Sequence, residues 1–279
     1  MSEQSSTNTK LVLVLVGGLI VGFFVGFVLA NNINKQEDEK LRGELARLRA
    51  GGSQSDSGGG NGSPSRAQGQ SGGQRTSAAG DGEFPTLTDE QLRNAVSKAD
   101  ASPSDAELQK KVGQALYVYA WQTSNYEILP DVARILRRAH ELDAKDYKTT
   151  VMAGDTFFLI ARSKDSDPAT LADARALYES ALKAKPDDVI VRTSLGLTYF
   201  YAKPSDARRA IREYRQALKS DPKHEAALQS ITLALIDTGD LAEAETRLGE
   251  LEKVNPSNAE LPNLRTQLEQ KKNAAGEAR

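Results

Sequence analysis

The sequence has 279 residues, a formal net charge of −2 and no cysteine. This length exceeds what one ordinary domain needs, and the balanced charge excludes a polybasic nucleic-acid-binding surface. Without cysteine there is no disulfide, Cys-based zinc site or thiol nucleophile. The two histidines, His140 and His224, are too few for a histidine-built metal site and do not indicate a Ser-His-Asp triad. No Gly-rich phosphate-binding loop with a lysine precedes a helix either, so the sequence predicts no enzyme, no cofactor and no metal site.

A polar tail, residues 1–10, precedes an apolar stretch over residues 11–30 that has no charged or polar side chain. A helix of this length spans roughly 30 Å, the hydrocarbon thickness of a bilayer, which predicts a single transmembrane helix. A cleaved signal peptide is the alternative. Val28 and Ala30 suit the small-residue cleavage rule, although the apolar run is longer than usual.

Three glycines, Gly18, Gly22 and Gly26, recur at every fourth position of this segment. They share one helix face and predict a dimer contact between two membrane helices. The alternative is that glycine is simply common in membrane helices. The orientation stays open, because more Lys and Arg follow the segment than precede it, which favours a cytoplasmic C-terminal part, whereas Lys10 directly abuts the apolar core.

Two further segments lie between the apolar stretch and the rest of the chain. Residues 31–50 carry leucines at helical spacing and predict a helical stalk, either a solvated stub or a short coiled coil. Residues 51–82 are rich in Gly, Ser and Gln and cannot bury a core, so they predict a disordered linker. A flexible linker of this length spans on the order of 30 Å.

Helical patterns occupy residues 83–273. Thr88 followed by Gln91 is typical of a capping box and starts a helix to about Ala99. Leu92 and Val96 on this helix are expected to cover the first end of the helical array.

Downstream, one pattern recurs, and its closing prolines Pro222 and Pro256 lie 34 positions apart. Such a period predicts stacked helix pairs, because one pair alone cannot bury its apolar face. The predicted repeats are residues 105–144, 147–186, 189–222 and 225–256.

The pattern has fixed small and large positions. The third repeat contains Leu195-Gly196-x-x-Tyr199 in its first helix, and small residues, Ala210 and Ala244, begin the second helices of the last two repeats. This pattern resembles the tetratricopeptide repeat (TPR) family. The resemblance implies a right-handed α-solenoid of about four helix pairs, closed by a capping helix over residues 257–273.

In TPR arrays the first helices line a concave groove that binds partner segments. Carried over position by position, the resemblance predicts a groove rich in aromatic and aliphatic side chains. Some of these, Phe158, Leu197 and Leu233, could instead pack between repeats. The predicted set is Lys110, Gln114, Tyr117, Trp121, Val151, Asp155, Phe158, Arg162, Thr193, Leu197, Phe200, Tyr201, Gln229, Leu233 and Ile236.

The layout of one N-terminal span, a linker and a TPR array is similar to that of bacterial envelope TPR proteins, including interaction subunits of cytochrome c maturation. The resemblance implies a membrane-tethered scaffold of the inner membrane that binds a partner protein, with its array in the periplasm. The alternative is a structural protein that self-assembles through the glycine face and the array. Neither interpretation involves nucleic acid.

Overall fold

The structure, a computed structural model, describes residues 87–163 and 167–277. Within these residues the chain forms ten α-helices, one 3-10 turn and no strand, which confirms the all-α prediction for this part. The predicted polar tail, transmembrane helix with Gly18, Gly22 and Gly26, stalk and linker lie outside the described residues. In the described ranges, no helix is both long enough and apolar enough to cross a membrane.

The described chain divides into two compact units. Residues up to Leu142 belong to one unit, with α1 to α3, and residues from Asp143 belong to the other, with α4 to α10. The 3-10 turn Tyr126–Ile128 lies between α2 and α3. The helices are α1 (Asp89–Ala101), α2 (Ala106–Thr123), α3 (Leu129–Leu142), α4 (Tyr147–Ala161), α5 (Pro168–Ala184), α6 (Val189–Phe200), α7 (Ala207–Ser220), α8 (Glu225–Thr238), α9 (Leu241–Val254) and α10 (Leu261–Glu277).

The first unit opens with the predicted capping box. Thr88 Oγ1 accepts a hydrogen bond from the Gln91 N–H at 3.2 Å, and Gln91 Oε1 accepts one from the Thr88 N–H at 2.9 Å. Two backbone donors at the start of α1 are thereby satisfied. Helix α1 packs against α2 and α3 through Leu92 and Ala99, which are buried, whereas the predicted Val96 is half-buried.

In the second unit each helix contacts the next one along the chain. Helices α4 and α5, α6 and α7, and α8 and α9 form three pairs, and α10 packs against α8 and α9. Helix α5 starts with the Asp167 carboxylate accepting from the Ala169 N–H at 2.9 Å and with Pro168 in the first turn. Proline suits this position because its missing N–H would have no partner there.

A turn of one form begins the first helix of each pair in the second unit. The Asp188 N–H donates to the Lys185 carbonyl at 3.2 Å, and Asp188 Oδ1 accepts from the Val191 N–H at 2.9 Å. The same arrangement occurs at Asp146 and at His224, where the ring Nδ1 is the acceptor. Each side chain satisfies a backbone donor that the helix itself leaves unpaired.

Glycines in the first helices make room for large side chains of the second helices. A Cβ added at Gly196 would lie 2.3 Å from Cε1 of Tyr214, and one at Gly154 would lie 2.8 Å from Cε1 of Tyr178. In the first unit, a Cβ at Gly113 would lie 2.6 Å from a leucine of α3. The small residue of the repeat pattern thus allows the two helices of a pair to approach closely.

The last helix begins at Leu261, later than the predicted 257, because asparagines hold the preceding residues in turns. The Oδ1 atoms of Asn255 and Asn258 each accept the backbone N–H two residues further on, at 3.1 and 2.8 Å. Such contacts compete with helical hydrogen bonds. The buried face of this helix consists of Leu261, Leu264 and Leu268, each at 2% exposure.

Candidate protein-binding surface

Four of the predicted groove residues lie on α2 in the first unit. Gln114 and Tyr117 are buried, whereas Lys110 and Trp121 are half-buried. The rings of Tyr117 and Trp121 meet edge to face with centroids 6.2 Å apart, and Trp121 meets Tyr126 in the same way at 6.0 Å. The structure therefore brings Tyr117 and Trp121 together, as their spacing of four residues on a helix requires.

Tyr126 is absent from the predicted set, yet it is the most exposed ring of this cluster, at 43%. It lies in the 3-10 turn between α2 and α3. One sequence signal could have identified Tyr126 as a binding residue. Tyr126 is an aromatic residue in a connection longer than the repeat pattern needs, and binding residues are often found on such loops.

In the second unit, six predicted residues are buried. One of them, Asp155, joins the helices of a pair, since its Oδ1 accepts a hydrogen bond from the Tyr178 hydroxyl on α5 at 2.8 Å. Thr193 uses its hydroxyl on its own helix, donating to the Val189 carbonyl at 2.7 Å. The buried set is Val151, Asp155, Phe158, Thr193, Leu197 and Ile236.

The other five predicted residues of the second unit are half-buried: Arg162, Phe200, Tyr201, Gln229 and Leu233. Among them, Gln229 already has a partner, because its Oε1 accepts from the Asn258 side-chain amide at 3.2 Å. That bond ties Gln229 to the turn before α10. Leu233 is only partly covered, although a position between repeats was its alternative interpretation.

Three of the predicted aromatic residues and one arginine form a cluster at the ends of α4 and α6. The Tyr201 ring lies 6.2 Å from Phe158 and 5.3 Å from Phe200, measured between centroids. The Arg162 guanidinium carbon lies 3.6 Å from the centroid of the Tyr201 ring. This is a cation–π contact, and it holds the guanidinium in one place.

Burial and two nearby charged side chains determine the protonation state of Tyr201 in this cluster. Burial raises the pKa of Tyr201, and Glu260 acts in the same direction, while Arg162 lowers it. Tyr201 is therefore neutral at physiological pH, with a hydroxyl that can donate. Within the described residues, Nε of Arg162 is buried and has no hydrogen-bond partner. We call these four residues, Phe158, Arg162, Phe200 and Tyr201, the aromatic–arginine cluster.

A second set of cation–π contacts was not predicted and lies around Tyr199. Arg175 and Arg209 place their guanidinium carbons 4.2 and 4.3 Å from its ring centroid. The Tyr199 hydroxyl donates to Glu179 at 2.9 Å, and burial followed by this bond raises the pKa of Tyr199 to about 12. The repeat pattern predicts a large side chain at Tyr199 but says nothing of arginines on α5 and α7.

Over residues 87–163 and 167–277, no group of three His, Cys, Asp or Glu side chains is arranged to hold a metal ion. Several carboxylates in this part of the chain act as helix caps or as partners of arginines. Examples are Asp100 with Arg138 at 2.6 Å and Glu213 with Arg192 at 3.0 Å.

Comparison with solved structures finds proteins of similar helical architecture. A crystal structure of MamA aligns at 20% identity with a TM-score of 0.48, covering 62% of this chain and 91% of that one. MamA from Desulfovibrio magneticus RS-1 aligns at 18% identity and a TM-score of 0.48, covering 61% and 86%. YrrB, described as a TPR protein with an unusual peptide-binding site, aligns at 17% identity and a TM-score of 0.46, covering 65% and 86%.

A search of curated proteins found no match. The sequence profile of the tetratricopeptide repeat, in contrast, matches residues 201–268. That range runs from the end of α6 through α7, α8 and α9 into α10, where the paired helices and their recurring turns lie. The chain therefore carries tetratricopeptide repeats in this region.

Proposed function

We propose that this chain is a membrane-tethered TPR scaffold that binds a segment of a partner protein. The observation that carries the proposal is the aromatic–arginine cluster, in which Tyr201 contacts two phenylalanines and Arg162. Tyrosine and arginine are among the side chains that most often anchor protein interfaces. Phe200, Tyr201 and Arg162 are also partly exposed, so a partner can contact them.

The cluster combines two kinds of contact. The rings of Phe200 and Tyr201 offer apolar area at a small cost in conformational entropy, because each side chain has only two rotatable angles. Arg162, held on the Tyr201 ring, offers N–H donors to a carboxylate or a backbone carbonyl. A helical or extended segment with one apolar side chain next to an acidic residue fits this chemistry.

The proposal also includes a membrane anchor and a cellular role. The apolar stretch 11–30 anchors the chain in the bacterial inner membrane, and the linker 51–82 lets the array reach partners near the anchor. By analogy with envelope TPR proteins, the array faces the periplasm and serves assembly of an envelope complex, such as cytochrome c maturation. The Lys and Arg count favours the opposite side, so orientation is a separate test.

The partner site is tested by placing a photo-crosslinking amino acid in the full-length chain, in cells. At Phe200 we expect one dominant protein adduct. At Thr246, exposed on α9, we expect none. The adduct at Phe200 should decrease severalfold when Arg162 or Tyr201 is changed to alanine, since either change removes the stacked pair. Thermal unfolding of each variant shows whether the fold is retained.

The proposal fails if both sites give the same adducts, or if Arg162→Ala and Tyr201→Ala leave the Phe200 adduct unchanged. The tether is tested independently, by carbonate extraction of membranes from cells that make the full chain or a chain without residues 11–30. Only the full chain should stay with the membrane. Protease cleavage of the linker in spheroplasts, but not in intact cells, would identify a periplasmic array.

A further inference from the structure

The exposed face of α7 carries an unusual density of positive charge. Five of its fourteen residues are exposed cations, and its one acidic residue, Glu213, is already bound to Arg192 at 3.0 Å. The cations are Arg208, Arg209, Arg212, Arg215 and Lys219.

Three of these cations have no carboxylate within 4.0 Å in the described part of the chain: Arg208, Arg212 and Lys219. Arg212 donates a hydrogen bond to the Arg208 carbonyl, at 3.5 Å. Arg215, by contrast, is paired with Glu243. Arg209 lies over the Tyr199 ring. The row Arg208–Arg212–Lys219 is hereafter the basic row.

The fold does not require the two arginines of the basic row, whereas Lys219 has an exposed counterpart on α9, Lys253. Helix α9 follows the same pattern 34 positions later, with Ala210 and Ala244 equally buried at 0% exposure. At the positions equivalent to Arg208 and Arg212, α9 holds Ala242 and Thr246, both exposed. Two arginines four residues apart on a helix also repel each other. A row that packing does not need, and that weakens the isolated helix, indicates an external anionic partner.

The composition of the face distinguishes between kinds of partner. Besides the cations, the exposed residues of α7 are Gln216 and Ser220, so the face has no exposed aromatic or aliphatic side chain. Protein interfaces usually bury aromatic side chains beside their arginines, and this face offers arginines without aromatic side chains. A bilayer surface with anionic headgroups needs none, because its charge is spread over a plane. The row extends over roughly 16 Å along the helix axis, at 1.5 Å per residue.

We propose that the basic row docks the array onto the anionic headgroup surface of the membrane that anchors the chain. This inference rests on the proposed tether, which keeps α7 within reach of a bilayer. Each cation near such a surface strengthens binding roughly fivefold, so three cations give about a hundredfold. The contact is electrostatic and weakens as salt shortens the screening length.

The absence of native cysteine allows the contact to be measured in the full chain. A fluorescent label on Gln216→Cys reports on the basic row, and one on Thr246→Cys reports on α9. The protein is reconstituted into vesicles of phosphatidylcholine alone or with added phosphatidylglycerol, both containing a headgroup-linked quencher. We expect quenching at position 216 with phosphatidylglycerol, little without it, reversal by high salt, and weak quenching at 246 throughout.

The matched variant gives α7 the residues that α9 already holds, Arg208→Ala and Arg212→Thr, together with Lys219→Gln. It should abolish the quenching at 216, whereas the control Lys253→Gln on α9 should not change it. Equal quenching in both lipids, or quenching that survives the triple change, overturns the proposal. The proposal is also overturned if the label at position 216 stays unquenched in vesicles and a photo-crosslinker at the same position captures an acidic protein in cells.

The same samples separate this inference from the tether. A chain that enters both vesicle types, with no quenching at position 216, retains the tether and refutes membrane docking by α7. A chain that binds only anionic vesicles, and only with the basic row intact, supports contact between the basic row and anionic headgroups but refutes the tether. A chain that binds neither type overturns both.

Discussion

The helix pairs α6–α7 and α8–α9 follow each other in the second unit and share one framework. Both begin with the same turn, at Asp188 and at His224, and both bury an alanine completely at the start of the second helix, Ala210 and Ala244. These shared parts satisfy the helix ends and allow close crossing. This shared framework therefore determines the backbone path of both pairs, whereas many of their side chains differ.

Inside the two pairs, the same space is filled in opposite ways. In α6–α7 the first helix contributes Gly196 and the second contributes the Tyr214 ring, which lies against it. At the equivalent positions, α8–α9 has Thr232 and Leu248, both buried. A larger residue on one helix thus accompanies a smaller one on the other, as dense packing at constant volume demands.

Outside the core, the two pairs differ in a way that concerns function. Each carboxylate on α9 (Glu243, Glu245, Glu250 and Glu252) has a cationic partner, whereas the basic row of α7 has none in the described ranges. Phe200 and Tyr201 at the end of α6 correspond to Ile236 and Asp237 on α8. The basic row and two of the four residues of the aromatic–arginine cluster therefore fall on the α6–α7 pair, while Phe158 and Arg162 come from the end of α4.

The largest expected effect comes from Gly196→Ala. The new Cβ would lie 2.3 Å from Cε1 of Tyr214, which is 0% exposed and cannot move aside without disturbing its neighbours. We expect a loss of about 1–3 kcal/mol in the free energy of unfolding, despite the gain of roughly 1 kcal/mol in helix propensity. Urea denaturation followed by circular dichroism measures the change.

The comparison also provides the control for this variant. Leu248 stands where Tyr214 does, so Tyr214→Leu should make room for the new methyl group. The double variant Gly196→Ala/Tyr214→Leu is expected to be less destabilised than the sum of the two single variants. Additive losses would mean that the contact between Gly196 and Tyr214 does not limit the size of the residue.

The repeat is recognisable in the sequence because its markers act locally. The capping box at Thr88 and the glycine at Gly196 each fix a contact within one turn or one helix pair, and the leucines of α10 follow a helical period that marks one apolar face. The aromatic–arginine cluster could be found only in part, because Arg162 and Tyr201 meet across different helices at distances that no spacing rule gives. The two arginines and the lysine of the basic row are visible in the sequence, but the absence of nearby carboxylates in the described residues is a property of the three-dimensional structure.

The second prediction concerns how the stability of the fold depends on pH through His224, the residue that caps α8. Burial lowers the pKa of His224 below its ordinary 6.5, and its unprotonated Nδ1 accepts the Ala227 N–H at 3.2 Å. The folded chain therefore takes up this proton less readily than the unfolded chain, so stability falls as the pH drops below about 6.5. Replacement by asparagine keeps a cap that does not titrate. His224→Asn should remove about 0.5–1 kcal/mol of the loss between pH 7.5 and 5.5.

Thermal unfolding of both proteins across this pH range gives the measurement. Asparagine is preferable to aspartate here because Asp188 already interacts electrostatically with His224. The pKa of the other histidine, His140, is also lowered by burial, so His140→Asn measures the contribution of that residue separately while leaving the α8 cap intact. If the wild type and His224→Asn lose stability in parallel, protonation of this cap is not what weakens the fold.

The smallest expected effect is a gain, from Gly249→Ala on α9. A Cβ added at Gly249 has no atom within 4 Å, in contrast to Gly196. The equivalent position on α7 holds Arg215, so the framework already accommodates a long side chain there. Alanine removes the entropic cost of glycine in a helix interior, and we expect stabilisation by about 0.5–1 kcal/mol, seen as a higher urea midpoint. A lower midpoint would mean that Gly249 has a role that neither its surroundings nor the α7 comparison reveals.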